Sequence, residues 1–297
     1  MQRDSIDFSS SDVGKLFRRF LFPTVMGMVF SAVFVITDGI FVGRGIGSDA
    51  LASVNIVAPL FTLGTGLGLM FGMGGSVVAS INLAQGKRRV AEINITQSLA
   101  LPALLIALLS ALLIHCHEPL LMLLGTPGEL MVPAREYLVW FTLFLAPLAV
   151  FNILMFIVRL DGAPGFAMAC NIMAACINIA LDYLFIFVFE WGLAGAAVAT
   201  GIGYVVGSGV MLWYMFRRSR TLRFVKLKIS GKSMRLTVRN LWYMSYIGFP
   251  ALLSELAISC LMIVGNYTFI HYVGKDGVEY AFEEYLHGVD GEAEVYS

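Results

Sequence analysis

An all-α fold of membrane-spanning helices is what this sequence predicts, and three observations predict it. Hydrophobic side chains make up 58% of the 297 residues and charged ones only 13%, where a soluble globular domain carries about 25% charged. Seven stretches hold at most one charge each and exceed the roughly 18 residues that a membrane helix needs. These runs are continuously apolar and do not alternate in polarity at every second residue, which excludes an outer-membrane barrel. The mean hydropathy of +0.81 also excludes a disordered chain.

The runs follow in order. Residues 20–42 form the first, interrupted by Asp38. Residues 54–83 form the second, 93–114 the third and 137–158 the fourth. Residues 163–189 form the fifth, interrupted by Asp182. Residues 191–216 form the sixth, and 241–270 the seventh, interrupted by Glu255. At about 1.5 Å per residue, each crosses roughly 30 Å of hydrocarbon. Pro23, Pro59, Pro102, Pro147 and Pro250 fall in or near these runs. Membrane helices tolerate proline where neighbours satisfy the freed backbone groups.

Lysine and arginine set the expected orientation. The N-terminal arm, the second-to-third and fourth-to-fifth loops and the sixth-to-seventh loop hold 17 of the 20 basic residues; nine of them lie in 217–239. Only Arg44, Arg135 and Lys275 fall on the other side. The N-terminus is therefore expected in the cytoplasm of a prokaryotic cell, with the chain a multi-pass protein of the plasma membrane. Asp4, Asp7 and Asp12 in the arm argue against a removed signal peptide. The long basic loop reads as solvated or as a helix lying on the anionic leaflet, not as a nucleic-acid site.

One internal repeat stands out, at an offset of 227 residues. Phe22-Pro23 falls on Phe249-Pro250, Gly47 on Gly274 and Asp49 on Asp276. The first and seventh runs thus read as openings of two copies of one unit, a plan common among transporters. Residues 1–216 form a six-helix lobe, 217–240 the basic inter-lobe loop, and 241–278 the first span of a second lobe. The seven acidic residues after position 275 have no basic partners. Residues 279–297 cannot cross a membrane as a helix, and the reading expects a tail that is truncated or out of frame. If the second lobe is absent, self-association of two copies is left open by the sequence.

Acidic residues inside a span are costly and mark functional sites by default. Asp38 lies five residues before Gly43, near the outer end of the first run. Asp182 lies eight residues before Glu190, and Thr200 nine residues after Trp191. Helical rise places all three in the outer half of the membrane. Asn178 is one turn before Asp182 and shares its face. Two carboxylates, an amide and a hydroxyl are expected to converge between the first, fifth and sixth spans. Hard oxygen ligands suit Na⁺ or a proton rather than a transition metal. Glu255, midway along the seventh run, reads either as a contact for a cationic substrate or a proton in a central cleft or as a helix-packing hydrogen bond.

Other motifs point to packing. Gly64, Gly68, Gly72 and Ser76 recur every fourth residue, as do Gly195, Ala199, Gly203 and Gly207, which lets helices approach closely. Gly64-x-Gly66-x-Gly68 has no preceding strand and is not a dinucleotide loop. His115-Cys116-His117-Glu118 reads as a helix terminus rather than a metal site. Cys116, Cys170, Cys176 and Cys260 show no disulfide or zinc spacing. No P-loop, nucleophile elbow or HExxH motif occurs, so no enzymatic activity and no cofactor are expected.

These residues resemble the multidrug and toxic compound extrusion (MATE) transporters, in the branch whose carboxylate site lies in the N-terminal lobe. Asp38-Gly-Ile-Phe-Val-Gly-Arg44 with Ala50-Leu-Ala52 resembles that family's first span and loop. Arg159-Leu-Asp-Gly-Ala-Pro164 resembles its fourth-to-fifth loop. Asn178-Ile-Ala-Leu-Asp182, Trp191-Gly-Leu-Ala-Gly-Ala-Ala197 and Ala199-Thr200 resemble its fifth and sixth spans. The resemblance covers about residues 12–278. It implies twelve spans in two lobes, with export of cationic amphipathic drugs in exchange for Na⁺ or H⁺. It also implies a cation or proton site at Asp38, Asn178, Asp182 and Thr200. A lipid-linked precursor flippase of the same superfamily and an inactive half-transporter are the alternatives.

Overall fold

A computed structural model describes residues 13–219, 221–227 and 231–272. The acidic stretch 279–297, the N-terminal acids and the repeat matches beyond residue 272 lie outside the described residues. Within them the chain is helical: α1 (Val13–Gly45), α2 (Ser48–Ala84), α3 (Arg88–His115), α4 (His117–Leu123), α5 (Met131–Leu143), α6 (Leu145–Leu160), α7 (Pro164–Asp182), α8 (Gly192–Arg217) and α9 (Gly231–Tyr272). Six helices are long and apolar enough to span a membrane, and the α5–α6 pair makes a seventh, broken span.

That break corrects the expectation of one continuous fourth helix over 137–158. The segments 128–143 and 145–160 bend by 45° about Phe144. Pro147 supplies the reason. It has no N–H to donate to Leu143, so it fits the first turn of a new helix, where none is needed. The Phe144 ring then packs directly against Gly201 of α8, where any side chain would collide with it.

The fifth run also divides. α7 is regular to Asp182, and Tyr183–Val188 continues it as a wider π-helical turn. Such turns are rare and concentrate at functional sites.

α9 begins ten residues before the apolar run at Leu241, inside the segment 217–240 expected as a loop. Hydrogen bonds to α3 account for the difference. The Asn240 amide donates to Asn94 Oδ1 at 2.8 Å and to Gln97 Oε1 at 2.6 Å, while Gln97 donates to Thr237 Oγ1 at 2.8 Å. These bonds give the polar start of α9 partners that an isolated helix lacks.

Glycine spacing on α2 determines how the lobe packs. A methyl group on Gly64, Gly68 or Gly72 would run into Leu145, Ala149 or Ile153, so this face lies directly on α6. The intervening Gly66 and Gly74 face α9, with Gly74 against the Met244 backbone and Gly248 against that of Met70. Gly203 and Gly207 bring α8 against Ala174 of α7 in the same way. In lipid, this close approach replaces the hydrophobic drive that packs soluble helices.

Asp161 fastens the turn between α6 and α7. The turn requires a positive φ of 87° at Gly162, and Pro164 opens α7. Buried Asp161 accepts hydrogen bonds from Tyr214 Oη (3.0 Å), Ser219 Oγ (3.1 Å) and the backbone N–H groups of Thr221 (2.9 Å) and Leu222 (3.1 Å). The end of α8 and the chain after it are thereby tied to the start of α7.

Candidate functional site

α1, α7 and α8 bring four of the expected residues together. Asp182 is fully buried, and Asn178 and Thr200 are 2% and 7% exposed. The Asn178 amide donates to Thr200 Oγ1 at 3.1 Å, which links α7 to α8. Asp38 comes from α1 and its carboxyl neighbours that of Asp182, which Asn178 also neighbours.

This cluster is rich in unsatisfied acceptors. Both carboxyl oxygens of Asp182, one of Asp38 and the Asn178 carbonyl are buried without a hydrogen-bond partner among the described residues. A buried acceptor left unpaired costs about 1–3 kcal/mol, more when charged. Four side by side form an arrangement that a shared proton or a small hard cation would relieve. The donor set is oxygen only, a chemistry that suits a proton or a hard cation better than a transition metal.

Two further residues face the acids, and the sequence reading missed both. Tyr137 from α5 and Tyr204 from α8 lie within electrostatic reach of Asp38, and Tyr137 also reaches Asp182. A signal exists for Tyr204, which stands one turn after Thr200 on the same face. Tyr137 opens the fourth run and reads there only as an apolar residue.

A cavity of about 210 Å³ adjoins the cluster. It is a partly open pocket lined by α1, α2, α6, α7 and α8, and its polar lining is Ser31, Thr65, Asn152, Asn171, Asn178, Thr200 and Tyr204. The aromatic rings of Phe34, Phe61 and Phe151 complete it, and no basic side chain among the described residues lines it. Its position follows from helix register. On α1 and α7 the lining residues precede Asp38 and Asp182 by one to three turns; on α8 they run from Thr200 to Tyr204.

Glu255 stands apart from the cluster. It is partly buried on the α2–α9 seam, where its Cβ packs over Gly66. His117, in the run 115–118, bonds the Ile114 carbonyl at 2.8 Å through Nδ1 at the junction of α3 and α4.

Comparison with known proteins agrees with this fold. Residues 23–184 match the MatE family model. The multidrug export protein MepA of Staphylococcus saprophyticus is 29% identical over 265 residues, covering 87% of this chain and 56% of that protein. MepA of Staphylococcus aureus is 28% identical over 274 residues, covering 89% and 58% respectively. The chain thus spans a little over half the length of these relatives. A solved structure of the MATE multidrug transporter DinF-BH, held in a complex, superposes with a TM-score of 0.81 at 25% identity, over 94% of this chain and 62% of that one. An inward-facing multidrug resistance MATE transporter of the MOP superfamily superposes with a TM-score of 0.73 at 26% identity, over 83% and 55%. With more than half of its length matched by the family model, and with its fold shared with these structures, the chain belongs to the MatE family.

Proposed function

We propose that this chain carries the ion-coupling lobe of a secondary active antiporter that exports cationic amphipathic compounds in exchange for H⁺ or Na⁺. One observation carries the reading: paired acids, with an amide and a hydroxyl, present four unsatisfied oxygens inside a membrane lobe. The likeness to MepA, a multidrug export protein, and to DinF-BH, a multidrug transporter, supports the substrate class.

Asp38 and Asp182 act as the exchanging pair in this reading. Two close carboxylates in an apolar setting do not both ionise cheaply, so a proton or Na⁺ shared between them is held firmly. Asn178 supplies a carbonyl ligand, and Thr200 orients the amide. Tyr137 and Tyr204 are phenol donors within electrostatic reach of the pair. Cation binding draws α1 onto α7 and alters the cavity between them. A ligand shifts such an equilibrium only by its different affinity for the two states, so substrate release requires a cavity that binds less well once the pair is loaded. Glu255, on the seam toward the second lobe, is the candidate contact for substrate in the cleft.

The basic loops orient the chain with its N-terminus in the cytoplasm of a prokaryotic cell, and the coupling cation enters from outside. A lipid-linked precursor flippase is the weaker alternative, because an anionic headgroup calls for basic residues, and the cavity lining is neutral. An inactive half-transporter and self-association to supply a second lobe are separated from this reading by activity. The test is efflux of a cationic fluorescent dye from cells expressing the protein. Efflux that stops when the H⁺ and Na⁺ gradients are collapsed, and in Asp38→Asn or Asp182→Asn, supports the proposal. Efflux that persists in both variants overturns the site.

A further inference from the structure

α1 is the least embedded helix of the lobe. Only 11% of its apolar window is buried, and Met28, Val29, Val33, Val35 and Ile36 are exposed on its flank. Helices gain no hydrophobic association energy from each other in lipid, so specific polar ties decide where such a helix sits. One tie comes from Asn171 of α7. Its amide nitrogen lies 3.0 Å from the Gly27 carbonyl and 3.0 Å from Ser31 Oγ, both on α1. One N–H serves each acceptor, and the Gly27 carbonyl has a second lone pair beyond its helical bond.

The spacing links this tie to the acids. Gly27 precedes Asp38 by 11 residues, and Asn171 precedes Asp182 by 11 residues. Eleven residues make three turns and return to the same helix face. α1 and α7 therefore meet at two polar rungs of equal spacing, with Ser31, Asn171 and Asn178 on the wall of the cavity between them. A rotation of α1 by one residue, about 100°, would break both rungs together.

We infer that Asn171 is a positioning residue, a latch that holds α1 in the register that brings Asp38 to Asp182. The inference rests on the acid pair proposed above. Asn171 lies three turns from both acids and acts through the α1 backbone. Without it, α1 turns on its axis and the two carboxyls separate. The titratable groups facing the pair from neighbouring helices are Tyr137 of α5 and Tyr204 of α8. α2 carries no titratable residue beyond Asp49 at its start.

The test is carbodiimide labelling of the purified chain in lipid nanodiscs across pH, read by peptide mass at Asp38 and Asp182. Two interacting acids lose their protons in two steps separated by more than about one pH unit. The expectation is two steps in the parent, one in Asp38→Asn, and one merged step at both acids in Asn171→Leu. Ser31→Ala keeps the Gly27 bond and should retain two steps. A second variant covers misfolding of Asn171→Leu: Ser31→Cys with Asn171→Cys, the four native cysteines replaced by alanine. Oxidised, it should show two steps; reduced, one. Two steps in Asn171→Leu, or a profile indifferent to the redox state of the cysteine pair, overturns the latch and leaves the acid pair standing. A profile unchanged by Asp38→Asn overturns the acid pair, and the latch with it.

Discussion

Asn178 donates its amide to Thr200 at 3.1 Å and leaves its own carbonyl oxygen buried and unpaired. This relationship fixes the amide's orientation, with nitrogen toward α8 and oxygen free for a ligand. Thr200→Val keeps the shape and removes the acceptor, so the amide is free to turn over. Losing one ordered ligand should weaken cation binding by about 1–2 kcal/mol, roughly tenfold. Na⁺-dependent protection against thermal unfolding measures the change. Thr200→Ser should retain parental behaviour.

Asp38→Asn and Asp182→Asn preserve size and hydrogen-bonding capacity while removing proton exchange. Each should abolish gradient-driven dye efflux in the intact transporter and leave membrane insertion unchanged. The double variant should be no worse than either single one, because the two acids act as a unit. Additive losses would show that they act independently.

Asp161 is a structural anchor, and its substitution separates folding from coupling. Asp161→Ala removes the acceptor for four groups, two of them backbone N–H. The expected cost is about 3 kcal/mol or more. It should appear as a lowered thermal midpoint and as faster proteolysis around residues 218–222. Any cation-dependent stabilisation of the folded fraction should remain as in the parent.

The α2–α9 seam admits no side chain at Gly74 or Gly248. Gly248→Leu must push α9 off Met70 and should cost about 1–3 kcal/mol. Gly209→Leu, at a position with open space around it, is the matched control and should be neutral. A thermal-unfolding series on the two variants reads the difference.

Much of this architecture is legible in the sequence because lipid allows few solutions. Uncharged runs have to be helices, and α2, α3 and α8 fall where those runs do. Asp182 and Asn178 can be assigned to one face from spacing alone, and the cost of a buried acid draws attention to Asp38. The bend at Phe144 is hidden because hydropathy carries no directional information; Pro147 is the available clue. The early start of α9 is hidden because its partners, Asn94 and Gln97, lie more than 140 residues away in sequence. Tyr137 passes as apolar bulk, and Tyr204 is marked only by standing one turn after Thr200; the fold is what brings both within reach of the acids. Asn171 leaves a trace: it precedes Asn178 by seven residues, two turns along α7, but a lone amide in an apolar run has no distinguishing chemistry until α1 is laid beside it.

Difference infrared spectroscopy of the protein in lipid, titrated with acid and then with Na⁺, tests the central claim most directly. A protonated carboxylic acid has a carbonyl stretch distinct from that of a carboxylate. The account predicts such a band within the membrane lobe, lost on raising the pH and strongly reduced in both Asp38→Asn and Asp182→Asn. Its loss on adding Na⁺ at constant pH would identify Na⁺ as a ligand of the same pair. A band that both substitutions leave unchanged, or its absence at every pH, would contradict the assignment of Asp38 and Asp182 as the exchanging site.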